Sequence, residues 1–202
     1  MKEKDELRNR LLLELYNQLW NSINTRLNLI WESIGVLVSA FAIFALIQNN
    51  VISLDIATAL IILISAWFLA HTIDMSYWFN RNLAMIINIE KLFLSVKDVK
   101  LLYPYFISPR PNKMVTYLKI QTSLGIGIAV IVILLHCIQR IIPVINGINN
   151  FEVEIIIPYV VLLGCIIPLW LLKRKRDEDY DYFLKKSPGK DITKEAKKLG
   201  LI

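Results

Sequence analysis

Of the chain's 202 residues, 55% are hydrophobic and the mean hydropathy is +0.50, whereas soluble domains carry roughly 45–50% apolar residues. The 23 Lys and Arg outnumber the 17 Asp and Glu for a formal net charge of +6. With two cysteines at no paired spacing, the composition excludes a disulfide scaffold or a thiolate-built metal centre, and Cys137 and Cys165 read as small apolar side chains.

The apolar residues are concentrated in Ile30–Ile47, Val51–Ala70, Ile120–Ile138 and Ile155–Leu172, runs of 18 to 20 residues. A bilayer core of about 30 Å takes roughly 20 helical residues, and tilt or local thinning accommodates the shorter ones. All four runs therefore read as transmembrane helices. The charged start lacks the short basic leader and small-residue cleavage site of a signal peptide, so the chain is expected to be retained whole. Five Lys and Arg precede the first run, seven lie between the second and third, ten follow the fourth, and Arg140 alone falls on the other side. That asymmetry places both termini and the central segment in the cytoplasm of a multi-pass inner-membrane protein. Basicity then reports topology and anionic lipid, and direct nucleic-acid binding is not expected.

The expected fold is all-α, a polytopic membrane protein with four transmembrane helices in two hairpins whose long helices extend into a cytoplasmic helical domain. Residues 1–29 form a cytoplasmic amphipathic helix. Leu12, Tyr16, Leu19, Ile23, Leu27 and Ile30 recur every three or four positions, leaving Arg8, Arg10, Asn17, Asn21 and Arg26 for the wetter faces. Residues 30–71 are the first hairpin, turning at Gln48-Asn49-Asn50. Residues 72–113 continue as a cytoplasmic helix with a stripe of Met75, Phe79, Leu83, Ile86 or Ile87, Ile89 or Glu90, and Phe93, and nothing between Val51 and Asp98 stops it. It gives way to a proline-rich linker at Tyr103–Pro111.

Residues 114–172 are the second hairpin, with a short outer loop at Gln139–Glu154. Its fourth span is kinked, and Pro158 and Pro168 are candidate hinges. Residues 173–202 are a cytoplasmic tail in which Asp191 caps a short helix ending at Gly200, either docked or free.

Motifs for chemistry are absent. The chain carries no HExxH, glycine-rich phosphate loop, GxSxG or paired-cysteine pattern, so no catalytic residue and no cofactor is assigned. Ionisable groups within spans are the stronger signal, because a charge at the bilayer centre costs about 2.5–3.5 kcal/mol on the lenient insertion scale. Folding the hairpin about Asn49–Asn50 sets Glu32 level with Trp67 and near His71, while Asp55 lies closer in depth to His136. Either the acids snorkel to water, or Glu32, Asp55, His71 and His136 are polar residues of a pore or gate. On the third span, Ser123 with Gly127 and Gly125 with Ala129 are small-xxx-small pairs that pack closely, against the fourth span or a second subunit. The five Trp residues read mainly as interfacial anchors.

Tyr16, Ser22-Ile23-Asn24 and Arg26 before the first hairpin, and Ser76-Tyr77, Asn80-Arg81-Asn82, Ile86-Ile87 and Ile89-Glu90-Lys91 after it, form a pattern that resembles RipA-like octameric bacterial membrane proteins. The layout is also similar to small multi-span effectors and accessory proteins of bacterial anti-phage and CRISPR systems. The resemblance implies a homo-oligomer whose cytoplasmic helices receive a signal or a protein partner. It covers residues 16–94, and the second hairpin has no counterpart in it. The resulting expectation is a non-enzymatic oligomeric inner-membrane effector or accessory protein in anti-phage defence, one form of which is a pore former controlled by a cytoplasmic signal or partner. The alternatives are a small transporter or ion-channel subunit, and a membrane scaffold for a cytoplasmic enzyme.

The charge asymmetry makes a direct prediction. A reporter fused after Ile202 reports from the cytoplasm and one inserted at Asn149 from outside; a cytoplasmic signal at Asn149 would remove the four-span topology.

Overall fold

The first 103 residues contain no proline, and two long helices occupy most of them in the computed structural model: α1 (Lys2–Gln48) and α2 (Leu54–Phe93). The structure describes the chain apart from residues 1, 50, 101–110, 112–113, 148–150 and 193–202, and apart from the side chains of residues 2, 40, 41, 44, 99 and 100. After α2 come a 3-10 turn (Val96–Lys100), α3 (Thr116–His136), a π-helical turn (Cys137–Ile141), α4 (Ile142–Ile145), a second 3-10 turn (Val153–Ile156) and α5 (Ile157–Lys186). All regular structure among the described residues is helical.

Among the described residues, three stretches are long and apolar enough to cross a membrane: Leu54–Phe93, Thr116–Ile145 and Val153–Lys186. The expected first span, Ile30–Ile47, lies in α1 and includes residues 40, 41 and 44, whose side chains are outside the described residues. Most of the Tyr103–Pro111 linker, Asn149 and most of the expected helix after Asp191 are likewise outside them.

Two boundaries differ from expectation. The helix after the second apolar run ends at Phe93 instead of reaching Asp98, because a Ser95-x-x-Asp98 box captures the chain. Ser95 N–H and Oγ–H donate to Asp98 Oδ2 at 2.7 and 2.8 Å, an arrangement that starts a new turn. These donations, the backbone one first, hold the Asp98 carboxyl below its ordinary value of 3.8. The expected outer loop is also shorter than Gln139–Glu154, because helix continues through Pro143 to Ile145. Proline has no N–H for the carbonyl four residues back, and the ladder widens to let Ile142 N–H donate to Cys137 O, a π bond. Gly147, at a φ of 69°, then ends the run with its N–H on Val144 O.

The chain divides into two units. The mixed unit comprises Met1–Leu27, Met75–Val115 and Asp177–Ile202. Its core sets Leu19 and Ile23 of α1 against Ile86 and Ile89 of α2, with Leu15, Tyr16, Trp20, Leu27, Phe79 and Met85 packed around them. A second cluster joins Ile87 and Val96 to Leu83, Leu94 and Ile192. Asn88 Nδ2 donates to Ser187 Oγ at 3.0 Å and to Ser187 O at 3.3 Å, so the tail is docked as far as Ile192. Tyr180 is buried and donates to Pro111 O. The stripe on α2 departs from its expected course at Phe93, which is 50% exposed.

The apolar unit comprises Asn28–Asp74 and Thr116–Arg176. α2 is its central element: 44% of its apolar window is buried, against 11% for each of the other two spanning stretches. Ile61 and Val132 form a core with Ile43, Ile64 and Ile128, drawing α1, α2 and α3 together. α3 and α5 turn Ile120, Ile131, Leu134, Val160, Leu163 and Ile167 outward. So large an apolar exterior is unsuited to water and compatible with a membrane location.

The small residues of α3 are not equivalent. A Cβ on Gly125 would stand 2.9 Å from Phe68 Cδ1 and 3.1 Å from Leu69 Cδ2 of α2, whereas one on Gly127 meets nothing within 4 Å. Ser123 is exposed and Ala129 half-buried. The close contact of this helix is therefore made by Gly125 with α2, a partner not among the two expected. Overpacking costs about 1–3 kcal/mol. Gly125→Leu lowers the melting temperature of the detergent-solubilised protein, whereas Gly127→Leu leaves it unchanged; equal shifts would contradict the α2–α3 contact.

Candidate functional site: a buried charge network in the apolar unit

The network begins with helix capping. Ser53 Oγ accepts the Ile56 N–H at 3.3 Å and Ser53 O accepts the Ala57 N–H at 3.0 Å, which makes Ser53 the N-cap of α2. Asp55 then falls in the first turn, where the helix dipole favours a carboxylate. It is nevertheless 1% exposed, so the expectation that Asp55 snorkels to water is overturned. A buried ionised carboxylate needs cations and donors instead.

They come from the end of α3 and the π turn. His136 Nε2 lies 2.8 Å from Asp55 Oδ1. Arg140 forks onto the same carboxylate, with Nε on Oδ1 at 3.1 Å and Nη2 on Oδ2 at 2.8 Å. The bidentate pair is the strong form of this interaction. Arg140 Nη2 also donates to Glu152, which is largely exposed. The one basic residue on the minority side of the charge asymmetry thus has two carboxylates for partners.

His136 is fully buried, and its other nitrogen, Nδ1, lies 3.0 Å from the Tyr159 hydroxyl of α5. The rings meet edge to face, with centroids 5.4 Å apart. Cys137 Sγ is 3.1 Å from the same hydroxyl. A carboxylate only accepts, so Nε2 carries the proton that faces Asp55. In the neutral imidazole, Nδ1 then accepts from Tyr159, whose oxygen is left to accept from the Cys137 thiol. A single direction of donation satisfies all four groups. The network ties the start of α2 to the end of α3 and the π turn through Asp55, and reaches the start of α5 through Tyr159.

The other sequence-selected residues stand elsewhere. His71 is half-buried, its ring centroid 4.9 Å from that of Trp67 and its Nδ1 without a hydrogen-bond partner. Glu32 is exposed, and no hydrogen bond joins it to His71 among the described residues. Asp74, one turn after His71 on the same helix, instead pairs with Arg176. Pro158 is the second residue of α5, where a missing N–H breaks no ladder bond, whereas Pro168 lies inside the helix and removes one. Among the described residues, no three His, Cys, Asp or Glu side chains are grouped to hold a metal ion.

Arg140, Glu152, Tyr159 and Cys137, the last read from sequence as a small apolar side chain, are the members that sequence reasoning did not select. For Arg140 the signal was its isolation from every other Lys and Arg; for Tyr159 it was a lone phenol in an apolar run.

Removing one partner of a buried pair costs about 3–5 kcal/mol, because the other charge stays buried. Arg140→Gln therefore lowers the melting temperature of the detergent-solubilised chain, and adding Asp55→Asn to it recovers part of the loss. Strictly additive losses in this double-mutant cycle would show that the two groups are not energetically coupled.

No family model matches the chain, and neither a curated protein nor a solved structure matches it.

Proposed function

We propose that this chain is a four-span inner-membrane protein with cytoplasmic ends, acting as a non-enzymatic oligomeric effector or accessory protein whose membrane unit passes ions on a signal from a cytoplasmic partner. The observation that carries this reading is the buried pairing of Asp55 with His136 and Arg140. With Ile30–Ile47 as the first span, the network sits at the outer ends of the second, third and fourth spans. Arg140 leaves the outer side without an unmatched cation, which supports the charge-derived topology. As a latch, the network holds three helix ends together and blocks approach to the one carboxylate buried among them. The place in anti-phage defence comes from the family resemblance, and the latch chemistry stands without it.

A second reading, an ion-channel subunit at work without any partner, is favoured by a buried polar seam on α2. Thr58, Ser65 and Thr72 recur every seven residues and are each 1% exposed. Thr72 Oγ1 donates to Phe68 O at 2.9 Å, whereas Thr58 Oγ1 and Ser65 Oγ have no hydrogen-bond partner. From Asp55 to Thr72 the seam runs about 25 Å at 1.5 Å per residue, close to the thickness of a bilayer core.

Ion flux from liposomes loaded with the purified protein separates the readings. Under the latch, Asp55→Asn raises resting flux several-fold at equal insertion while Ser65→Val leaves it unchanged. Under the channel, wild type conducts unaided and Ser65→Val reduces the flux. No flux from any of the three proteins, with or without cytoplasmic extract, would sink both and leave a scaffold.

A further inference from the structure

In the mixed unit two arginines converge on one indole. Arg26 of α1 places its guanidinium carbon 4.7 Å from the Trp78 ring centroid, and Arg81 of α2 places its own at 4.9 Å. The two cations are thus within about 10 Å of each other. Arg81 also lies 5.6 Å from the Phe183 ring of α5, so aromatic faces from two helices hold its guanidinium. Arg26, expected on a wet face, is instead half-buried, as is Arg81.

Neither guanidinium has a carboxylate partner among the described residues. Arg26 uses one donor, Nε, on Ser22 Oγ at 3.4 Å, and Asn82 Nδ2 donates to the same oxygen at 3.1 Å. A hydroxyl that accepts twice has only its own O–H left to offer. Arg26, Arg81 and Ser22 therefore present unused donors, with two positive charges and no paired carboxylate among the described residues. Stacking alone accounts for one arginine on Trp78; a second adds like-charge repulsion that an anion between them would remove.

We propose that Arg26, Arg81 and the Ser22 hydroxyl bind a phosphate group, with Trp78 and Phe183 fixing the guanidinium planes. The planar forks match phosphate oxygens in the bidentate manner that lysine lacks. The phosphate comes from an anionic lipid headgroup or from a soluble phosphate compound. Arg26 precedes the first apolar run by four residues, about 6 Å of helix, a depth that suits a headgroup.

Native mass spectrometry of the full chain in detergent, with phosphatidylglycerol or phosphatidylcholine added, tests the lipid source. Melting with sodium pyrophosphate tests the soluble one. The lipid source predicts retention of phosphatidylglycerol over phosphatidylcholine, weakened about tenfold or more by Arg26→Gln with Arg81→Gln, the loss of two charge-assisted contacts. The soluble source predicts a melting temperature raised by pyrophosphate in wild type alone. Arg81→Lys keeps the charge and removes the fork, so it weakens whichever ligand binds even if the double variant fails to fold. Binding of neither probe by wild type, or equal binding by wild type and Arg81→Lys, overturns the site.

Discussion

A carboxylate buried in an apolar helical unit sets the terms for everything around it. Asp55 is ionised chemistry placed where water does not reach, and the unit tolerates it only because a guanidinium and an imidazole arrive from another helix. Their arrival depends on the register of α3, on the π turn that Pro143 accompanies, and on α5 offering Tyr159 to the far side of His136. The widened turn is where the helix would otherwise lose a bond to proline, and it carries the arginine that neutralises the acid. Local backbone adjustment and long-range charge pairing thus meet in the same five residues.

Packing in the apolar unit follows from α2 being its buried centre. Small side chains make this possible: Ala57 and Ala59 are buried on α2, and Gly125 lets α3 approach Phe68 and Leu69. The same helix carries hydroxyls on its hidden side. Buried hydroxyls without partners are rarely left so by accident of packing, since each forgoes its hydrogen bonds with water. The mixed unit solves a different problem. Its polar joints, Tyr16 to Glu90 at 3.2 Å and Asn88 to Ser187 at 3.0 Å, tie helices that also share an aliphatic core, and its cations rest on aromatic faces. In the apolar unit the buried carboxylate of Asp55 is paired, whereas in the mixed unit Arg26 and Arg81 have no carboxylate partner among the described residues.

Much of this was legible along the chain, because hydropathy and helical period are local properties. The three stretches long and apolar enough to cross a membrane and the Leu19–Ile23 and Ile86–Ile89 stripes follow from hydropathy and helical period, whereas counting residues at about 1.5 Å rise brought Asp55 only to a depth near that of His136. The helix stop at Phe93 was also written locally, in the Ser95-x-x-Asp98 box, which apolar periodicity does not register.

What only the tertiary structure decided are the choices among chemically equal residues and the partners far apart in sequence. Gly125 and Gly127 are identical to any pattern, yet only Gly125 meets a neighbouring helix, because rotation about α3 is set by its packing on α2. Glu32 and Asp55 both read as costly acids; one is exposed and the other is enclosed by groups 81 and 85 residues away. Arg26 looked like a solvent-facing cation and lies against Trp78 instead. Periodicity says which residues share a face, whereas ion pairing depends on depth and azimuth between helices, which no single segment encodes.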